Sequence, residues 1–399
     1  MIIKKLTVIS GIFLFLISCE PYTPTQMEQP VISADTAKTS GITSKVYSLI
    51  GQKQTCNPSI SQDTVNFGGC MMWLNFSGDL PVEVAPEVTG FDKKATQHDR
   101  ITITDTGNVV RWFLPIKSIA TESEEFQDPE WSTHPSYIDF LVSSEYKSKW
   151  SCFAVNLPTK DTLRLCNEKM GETSTPHLWV DKSSVRSNEV LSDINYDSTS
   201  GIVDRETVKK FFGTYNVKLT YALKENGILS LYYVDFSKGN QAVKLQKPAD
   251  KRNWDFESPL ISPDGKWIVF NAYEITSFYE SYIQELSPTS LPILIESNAA
   301  DPHWWSHPDD PSKLYIIYTS IPGSNLVMSD LSDESLLKDG SAGQTYMAQV
   351  ECFAGKPSIF SFNIISQKLI INLPLKGGLS PDGKFLCTGS DKAYIVRLY

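Results

Sequence analysis

The sequence predicts an all-β fold, a β-propeller of seven blades with six as the alternative, closed by pairing of its N- and C-terminal strands. Three observations predict it. The frame Asp-Pro-x-Trp-x-x-His-Pro occurs twice, at Asp128–Pro135 and Asp301–Pro308, and each copy runs straight into an apolar, β-rich stretch. The copies lie 173 positions apart, about four units of roughly 43 residues, which is the spacing of propeller blades. Third, Pro-Asp-Gly recurs at Pro263–Gly265 and Pro381–Gly383 between strand-like runs. In such a turn proline presets φ, aspartate bonds back to the backbone and glycine takes positive φ, so the flanking strands must be antiparallel neighbours.

The chain opens with Lys4 and Lys5, an apolar run from Leu6 to Ile17, and Ser18-Cys19. This is a secretory signal over residues 1–18, too short for a stable membrane span. Leu16-Ile17-Ser18-Cys19 also resembles the bacterial lipobox, in which the cysteine is acylated (palmitate and related chains) and becomes the mature N-terminus. Residues 19–44, polar and rich in Pro, Thr and Ser, cannot bury enough surface to fold and read as a tether. The propeller is expected over 45–399.

Unit starts are expected near 67, 128, 175, 217, 258, 301 and 376. Asn66–Leu74 opens the first, and Thr175-Pro176-His177-Leu178-Trp179-Val180 is a weaker copy of the Asp-Pro-x-Trp start. Between Pro176 and Pro259 the gap is about twice the unit, so it should hold one degenerate blade. There Val217–Leu223 and Ile228–Val234 flank Glu225-Asn226-Gly227, and Asn-Gly is the strongest short hairpin signal. Ahead of them, Asp204–Gly213 has an acidic cap and a terminal glycine, the pattern of a short helix within a loop inserted over 183–213. The last unit, from Gly377 to Leu398, has three strands, and Val46–Ile50 is the natural donor of a fourth.

Removing the signal takes away two lysines and moves the net charge from −10 to −12. No basic cluster is present, which argues against nucleic acid as a partner. Six cysteines follow Cys19. Cys152 and Cys166 flank the turn Pro158–Asp161, and Cys56 and Cys70 flank Ser61–Asp63 at the same spacing, so each pair can meet across a hairpin. Cys352 with Cys387 is then left by elimination. An oxidising compartment permits three such disulfides; buried free thiols are the alternative. No Cys-x-x-Cys or His-rich knuckle points to a metal, and no cofactor motif is found.

Ser262–Lys266 followed by Trp267–Phe270, and Ser380–Lys384 followed by Phe385-Leu386, resemble the repeat of TolB-like propellers, also called PD40 or WD40-like. The lipobox and the closing Gly377–Lys384 stretch are similar to a paralogous lipoprotein family of Fibrobacter type. The resemblance covers most of residues 120–399. It implies a bacterial envelope interaction module, lipid-anchored at the outer membrane or cell surface rather than the inner membrane, with a protein or glycan partner.

Catalytic constellations are missing. There is no Gly-x-Ser-x-Gly elbow, and His303 and His307 sit at i, i+4 between prolines that oppose a helix. Aligned on the leading proline, Glu130, His177, Leu260 and His303 fall at equivalent inner-strand positions. They form either a polar ring that holds a ligand or hydrogen-bonded channel fillers. Trp131, Trp179 and Trp304 recur as packing residues, while Trp305 stands outside the pattern as the candidate exposed aromatic. The expected function is a non-catalytic binding module. The alternative, a polysaccharide hydrolase or lyase, needs paired carboxylates facing one channel mouth.

Overall fold

In a computed structural model, the short β-branched and aromatic runs form strands wherever turn residues bound them. The structure describes residues 45–399 apart from 122–123, 145–148, 168–171, 187–190, 192–193, 275–277, 321–343, 354–360, 372–376, 389–392 and 399. Cys19, the signal and the tether lie outside the described residues.

After β1 (Lys45–Ser48) the first blade contains β2 (Thr55–Ile60) and β3 (Met71–Asn75). An excursion follows, with β4 (Gly78–Asp79), β5 (Glu83–Val84) and β6 (Lys94–Ala95). The blade is completed by β7 (Arg100–Thr104) and β8 (Val109–Pro115), in the order β2-β3-β7-β8-β5, while β4 and β6 pair as a ribbon. The second blade is β9 (Glu125–Trp131), β10 (Tyr137–Ser144), β11 (Lys149–Asn156) and β12 (Thr162–Cys166). The third is β13 (Thr173–Val180), then helix α1 (Arg205–Phe212), then β14 (Val217–Glu225), β15 (Ile228–Asp235) and β16 (Ala242–Lys244).

The fourth blade is β17 (Asp255–Ile261), β18 (Trp267–Glu274), β19 (Phe278–Glu285) and β20 (Ile293–Ser297). The fifth is β21 (Ala299–His307), β22 (Asp310–Ser320), β23 (Gln344–Phe353) and β24 (Ser361–Ile371). The ends of the chain share a three-stranded sheet. In it β26 (Tyr394–Arg397) lies between β25 (Phe385–Thr388) and β1, with Lys45 opposite Arg397 and Ser48 opposite Tyr394.

The expected count of seven blades, or six, is therefore corrected to five. The physical reason is the insertion between β13 and β14. The strands at 217–235 are the second and third of the blade that β13 begins, so the long gap holds one interrupted blade and no degenerate one. The helix in that insertion forms as its signals require: Asp204 accepts from the backbone N–H of Glu206 and Thr207, and Gly213 closes it at φ 77°. Such a cap contributes on the order of 1 kcal/mol. The first blade also begins earlier than expected, at β2 and not near residue 67.

Apolar residues pack between consecutive sheets, which is why each blade needs its neighbour. Trp112, Phe126 and Phe140 join the first two blades, and Tyr233, Phe256 and Phe270 join the third and fourth. Tryptophans lock two of the seams to the Ser-Pro-Asp-Gly turns. Trp179 Nε1 donates to the carbonyl of Pro263, and Trp305 Nε1 donates to that of Ser380, each at 3.0 Å. A Cβ on Gly265, already at φ 71°, would sit 2.7 Å from the Trp179 ring, so the turn glycine serves the seam as well as the turn. The turn serine and aspartate bond each other in both copies, at 2.6 and 2.7 Å.

The disulfide expectation is corrected. Cys56, Cys70, Cys152, Cys166 and Cys387 are free thiols, which removes all three pairings, and the side chain of Cys352 lies outside the described residues. The hairpin geometry behind one pairing is present, since Cys152 stands opposite Cys166 in the β11–β12 register. Both are buried, and burial followed by the Cys166 contact holds the Cys152 thiol well above the usual range. The Cys387 thiol donates to the carbonyl of Gly377 at 3.4 Å.

Candidate functional site

The site grows out of one backbone irregularity repeated in the five innermost strands. The residue before the proline has positive φ in each: Asn57 (47°), Asp128 (46°), Thr175 (45°), Ser258 (53°) and Asp301 (51°). Positive φ is uncommon outside glycine and unfavourable for a β-branched residue such as Thr175. In each strand the ladder to its neighbour shifts register at this point, as between Glu257 and Leu260 or Ala300 and His303. Proline has no N–H to lose from the ladder, so it suits the bulge. The bulges bring all five residues onto one cavity of about 270 Å³.

Hydrogen bonds run round this rim from blade to blade. Asn57 Nδ2 donates to Asp128 Oδ1 at 2.5 Å, and Asp128 Oδ2 accepts from the Thr175 backbone at 3.0 Å. Thr175 Oγ1 accepts from the Ser258 N–H at 3.0 Å, and Asn271 Oδ1 accepts from the Asp301 N–H at 3.1 Å. Glu257 joins Asp128 and Asp301 on the wall, and Tyr273 donates to its Oε2 at 3.2 Å. Burial, with Asp128, Asp301 and Asp255 nearby, pushes the Glu257 carboxyl up to about 7 against the bond from Tyr273. Among the described lining residues there is no lysine or arginine.

A second cavity, of about 230 Å³, shares Glu130, Leu260, His303 and Gly377 with the first. Three of these are equivalent positions one residue after the proline. Glu130 accepts from Ser59 Oγ and, at 3.0 Å, from the Trp131 N–H through Oε1. Burial raises its pKa, and His303 opposes that rise. His303 Nδ1 bonds the Asp301 carbonyl at 2.9 Å. Behind Glu130, its cross-strand partner Asp139 is fully buried and is kept protonated to well above the usual range, chiefly by burial.

Of the sequence candidates, Glu130 and His303 thus come together where the two cavities meet. His177 lines only the second cavity, and both of its nitrogens are committed. Nδ1 accepts from the Ile261 N–H at 3.0 Å and the other nitrogen bonds the Trp131 backbone, so the ring ties three blades. Burial pushes its pKa down to about 3, so it is a neutral strut at physiological pH. The exposed-aromatic expectation for Trp305 is corrected. It is 8% exposed, packs in the apolar cluster with Ile317 and Leu386, and is the counterpart of Trp179.

Sequence reasoning passed over Asp128, Glu257, Asp301, Asn57 and Asn271 as site residues. The signal that could have found three of these, Asn57, Asp128 and Asp301, together with Thr175 and Ser258, is a small polar residue directly before each blade-opening proline. Nothing local marks Glu257 or Asn271.

Chemically, the first cavity is an anionic pocket with an apolar collar. It attracts cations, and Glu257 can hold or release a proton near neutral pH. No group of three metal-ligating side chains is present among the described residues. No family model and no curated protein matches this chain. Among solved structures it is similar to TolB from Acinetobacter baumannii, at 12% identity and TM-score 0.37, covering 86% of this chain and 54% of that one. It is similar to an oligogalacturonate lyase from Vibrio parahaemolyticus at 9% identity and TM-score 0.40, covering 87% and 78% of the two chains. The β-propeller domain of the Trilobed protease from Pyrococcus furiosus shares 12% identity and covers 86% and 87%, with TM-score 0.32. The solved structures this all-β propeller resembles are thus TolB-like and related β-propeller proteins.

Proposed function

We propose that this chain is a lipid-anchored β-propeller of the bacterial envelope that binds a protein or glycan partner at the channel mouth and catalyses nothing. One observation carries the reading. All five blades set a strained, positive-φ residue against the same cavity, although an unbroken ladder would be the more stable choice for each strand. In this reading the three-stranded sheet formed by both termini closes the ring of five blades. Cys19 carries the lipid, residues 19–44 give the propeller reach, and the outer membrane or cell surface is its place.

Affinity capture from an envelope extract, run beside a glycan array, tests the binding reading with Asp128→Asn/Asp301→Asn as the comparison. A partner retained by the natural chain should fall at least about tenfold with the double variant, the scale expected of a central binding group. Unchanged capture would mean that the mouth is not the site. The anchor is tested separately: Cys19→Ala should move the protein from the membrane to the soluble fraction, and continued membrane association would remove the lipobox reading.

A second reading has a specific observation in its favour. Glu257 retains a proton near neutral pH beside the carboxylates Asp128 and Asp301 on one wall, which is the acid-and-base arrangement of a polysaccharide hydrolase. We rank it second because it uses three residues of the wall, whereas the binding reading accounts for the rim position repeated in all five blades.

A further inference from the structure

We propose that the second cavity binds an apolar monocarboxylate, with its carboxylate paired to Lys182 and its body against the tryptophan- and proline-lined wall. The inference goes beyond the reading of the channel mouth and does not rest on it, because it concerns the other cavity and none of the rim carboxylates.

Position along the innermost strands separates the two cavities. Asp128, Thr175, Ser258 and Asp301, each just before a proline, line the first, while Trp131, Ile261 and Trp304, two places after one, line the second. Glu130, Leu260 and His303 lie between these levels and line both. The second cavity is therefore the next segment along the same strands. At about 230 Å³ it is smaller than the roughly 300–1,000 Å³ of a pocket for a drug-sized ligand. It takes a single side chain or ring, not an extended sugar chain.

Most polar groups of this wall are already used within the protein. Ser132 Oγ donates to the His134 carbonyl at 2.7 Å, Thr133 Oγ1 accepts from the Val180 N–H at 3.2 Å, and Gln62 Nε2 donates to the Leu379 carbonyl at 3.2 Å. The indoles of Trp304 and Trp305 donate to the carbonyls of Leu260 and Ser380, and His177 is the strut between blades. What remains for a ligand is largely apolar surface, extended by Pro135, Pro263 and Pro381. A sugar, whose hydroxyls each need a partner, is poorly served by such a wall. An aliphatic or aromatic body is well served, because it leaves water without losing hydrogen bonds.

Charge selects the other half of the ligand. Besides the His177 strut, the titratable groups on the wall are Glu130, His303 and Lys182. Glu130 is answered by His303, which opposes the rise that burial imposes on it. Lys182 has no such counterpart: the Asp181 carboxylate next to it is taken up by Ser183 and Asn216, and among the described residues no carboxylate pairs with Lys182. Its neighbour His134 is held low by burial and by Lys182 itself, and so supplies no negative charge. Lys182 is exposed as a residue, yet the surrounding protein desolvates its ammonium enough to lower its pKa. Solvent access combined with crowded surroundings is what a side chain standing in a concave site shows. A carboxylate entering there meets a cation already stripped of part of its water, so the pair is stronger than one on an open surface.

Calorimetry on the full-length protein with three probes tests this: acetyl-Ala-Ala-Phe with a free terminal carboxylate, the same peptide as its amide, and 3-phenylpropionate. At least one carboxylate probe should bind tenfold or more tightly than the amide. Tighter binding of the peptide acid assigns the site to a chain terminus, and equal or tighter binding of phenylpropionate assigns it to a free acid. Lys182→Met, which keeps the apolar stem, should abolish the preference for carboxylate over amide, and Lys182→Arg should retain it, each checked for native circular dichroism. Asp128→Asn/Asp301→Asn should leave that preference unchanged. Equal binding of acid and amide, no binding by any probe, or a preference that survives Lys182→Met overturns the proposal. So does a preference lost in the rim variant, which would move the ligand to the first cavity. Envelope capture that depends on the rim would stand through any of the first three results, so the two readings fail separately.

Discussion

Replacing Gly377 with alanine is expected to destabilise the propeller by at least about 3 kcal/mol, at the severe end for a single methyl group. Gly377 lies at φ 85° where the terminal sheet meets the first blade. An added Cβ would stand 1.9 Å from the carbonyl oxygen of Pro58 and 2.7 Å from the Cys387 sulfur. Neither can yield cheaply. Pro58 belongs to the cavity rim, and the Gly377 carbonyl accepts from the Ile60 N–H at 2.7 Å, which holds the two segments together. Gly90→Ala is the matched control, because Gly90 has φ 78° but no atom within 4 Å of its Cβ. It should lose only the dihedral part, about 1 kcal/mol. Urea unfolding of the two variants gives the comparison. Equal losses would show that φ alone matters and that the seam is not packed as described.

The second large effect is a gain in stability. Glu257→Gln should stabilise the protein by up to about 3 kcal/mol at pH 8 and leave it nearly unchanged at pH 4, from a pKa raised from 4.5 to about 7. The sign follows from which state binds the proton more tightly. The folded state does, so the contribution of Glu257 is fully present below the unfolded value and is lost as pH rises through the folded one. Above that point an ionised carboxylate is forced to stay buried and beside Asp128 and Asp301, and the neutral amide carries no such charge. Tyr273 can still donate to the amide oxygen, so the hydrogen bond need not be lost. Asp99 and Asp204 act in the opposite sense: their depressed values contribute stability above the unfolded pKa that is lost on acidification. Chemical unfolding of both proteins across this pH range isolates Glu257 as a difference. A gain that does not depend on pH would mean that burial and the neighbouring carboxyls do not hold the proton on Glu257. The same variant bears on the second functional reading, since any release of reducing ends from a polysaccharide should stop with it.

The rim holds five unfavourable φ values and a group of carboxyls that would repel one another if all were ionised. Each feature opposes folding.

Much of this was decided within short stretches of chain. The Ser-Pro-Asp-Gly turns at 262–265 and 380–383 carry their own hydrogen bonds, α1 carries its own cap and stop, and the hairpin at Asn226-Gly227 needs only φ > 0 at two residues. Interactions that span a few residues are legible in order along the chain, and so were the all-β class, the blade-opening prolines and the equivalence of Glu130, His177, Leu260 and His303. The tertiary structure alone decided the rest. Spacing could not distinguish an interrupted blade from an extra one, because an insertion adds length without adding a sheet. Burial of Trp305 depended on a turn some 75 residues away. Convergence of Asp128, Glu257 and Asp301 depended on three strands from three blades meeting at one axis. A carboxylate's pKa, and with it the chemistry of the mouth, is set by what surrounds it in space, and that environment exists only once the blades are packed.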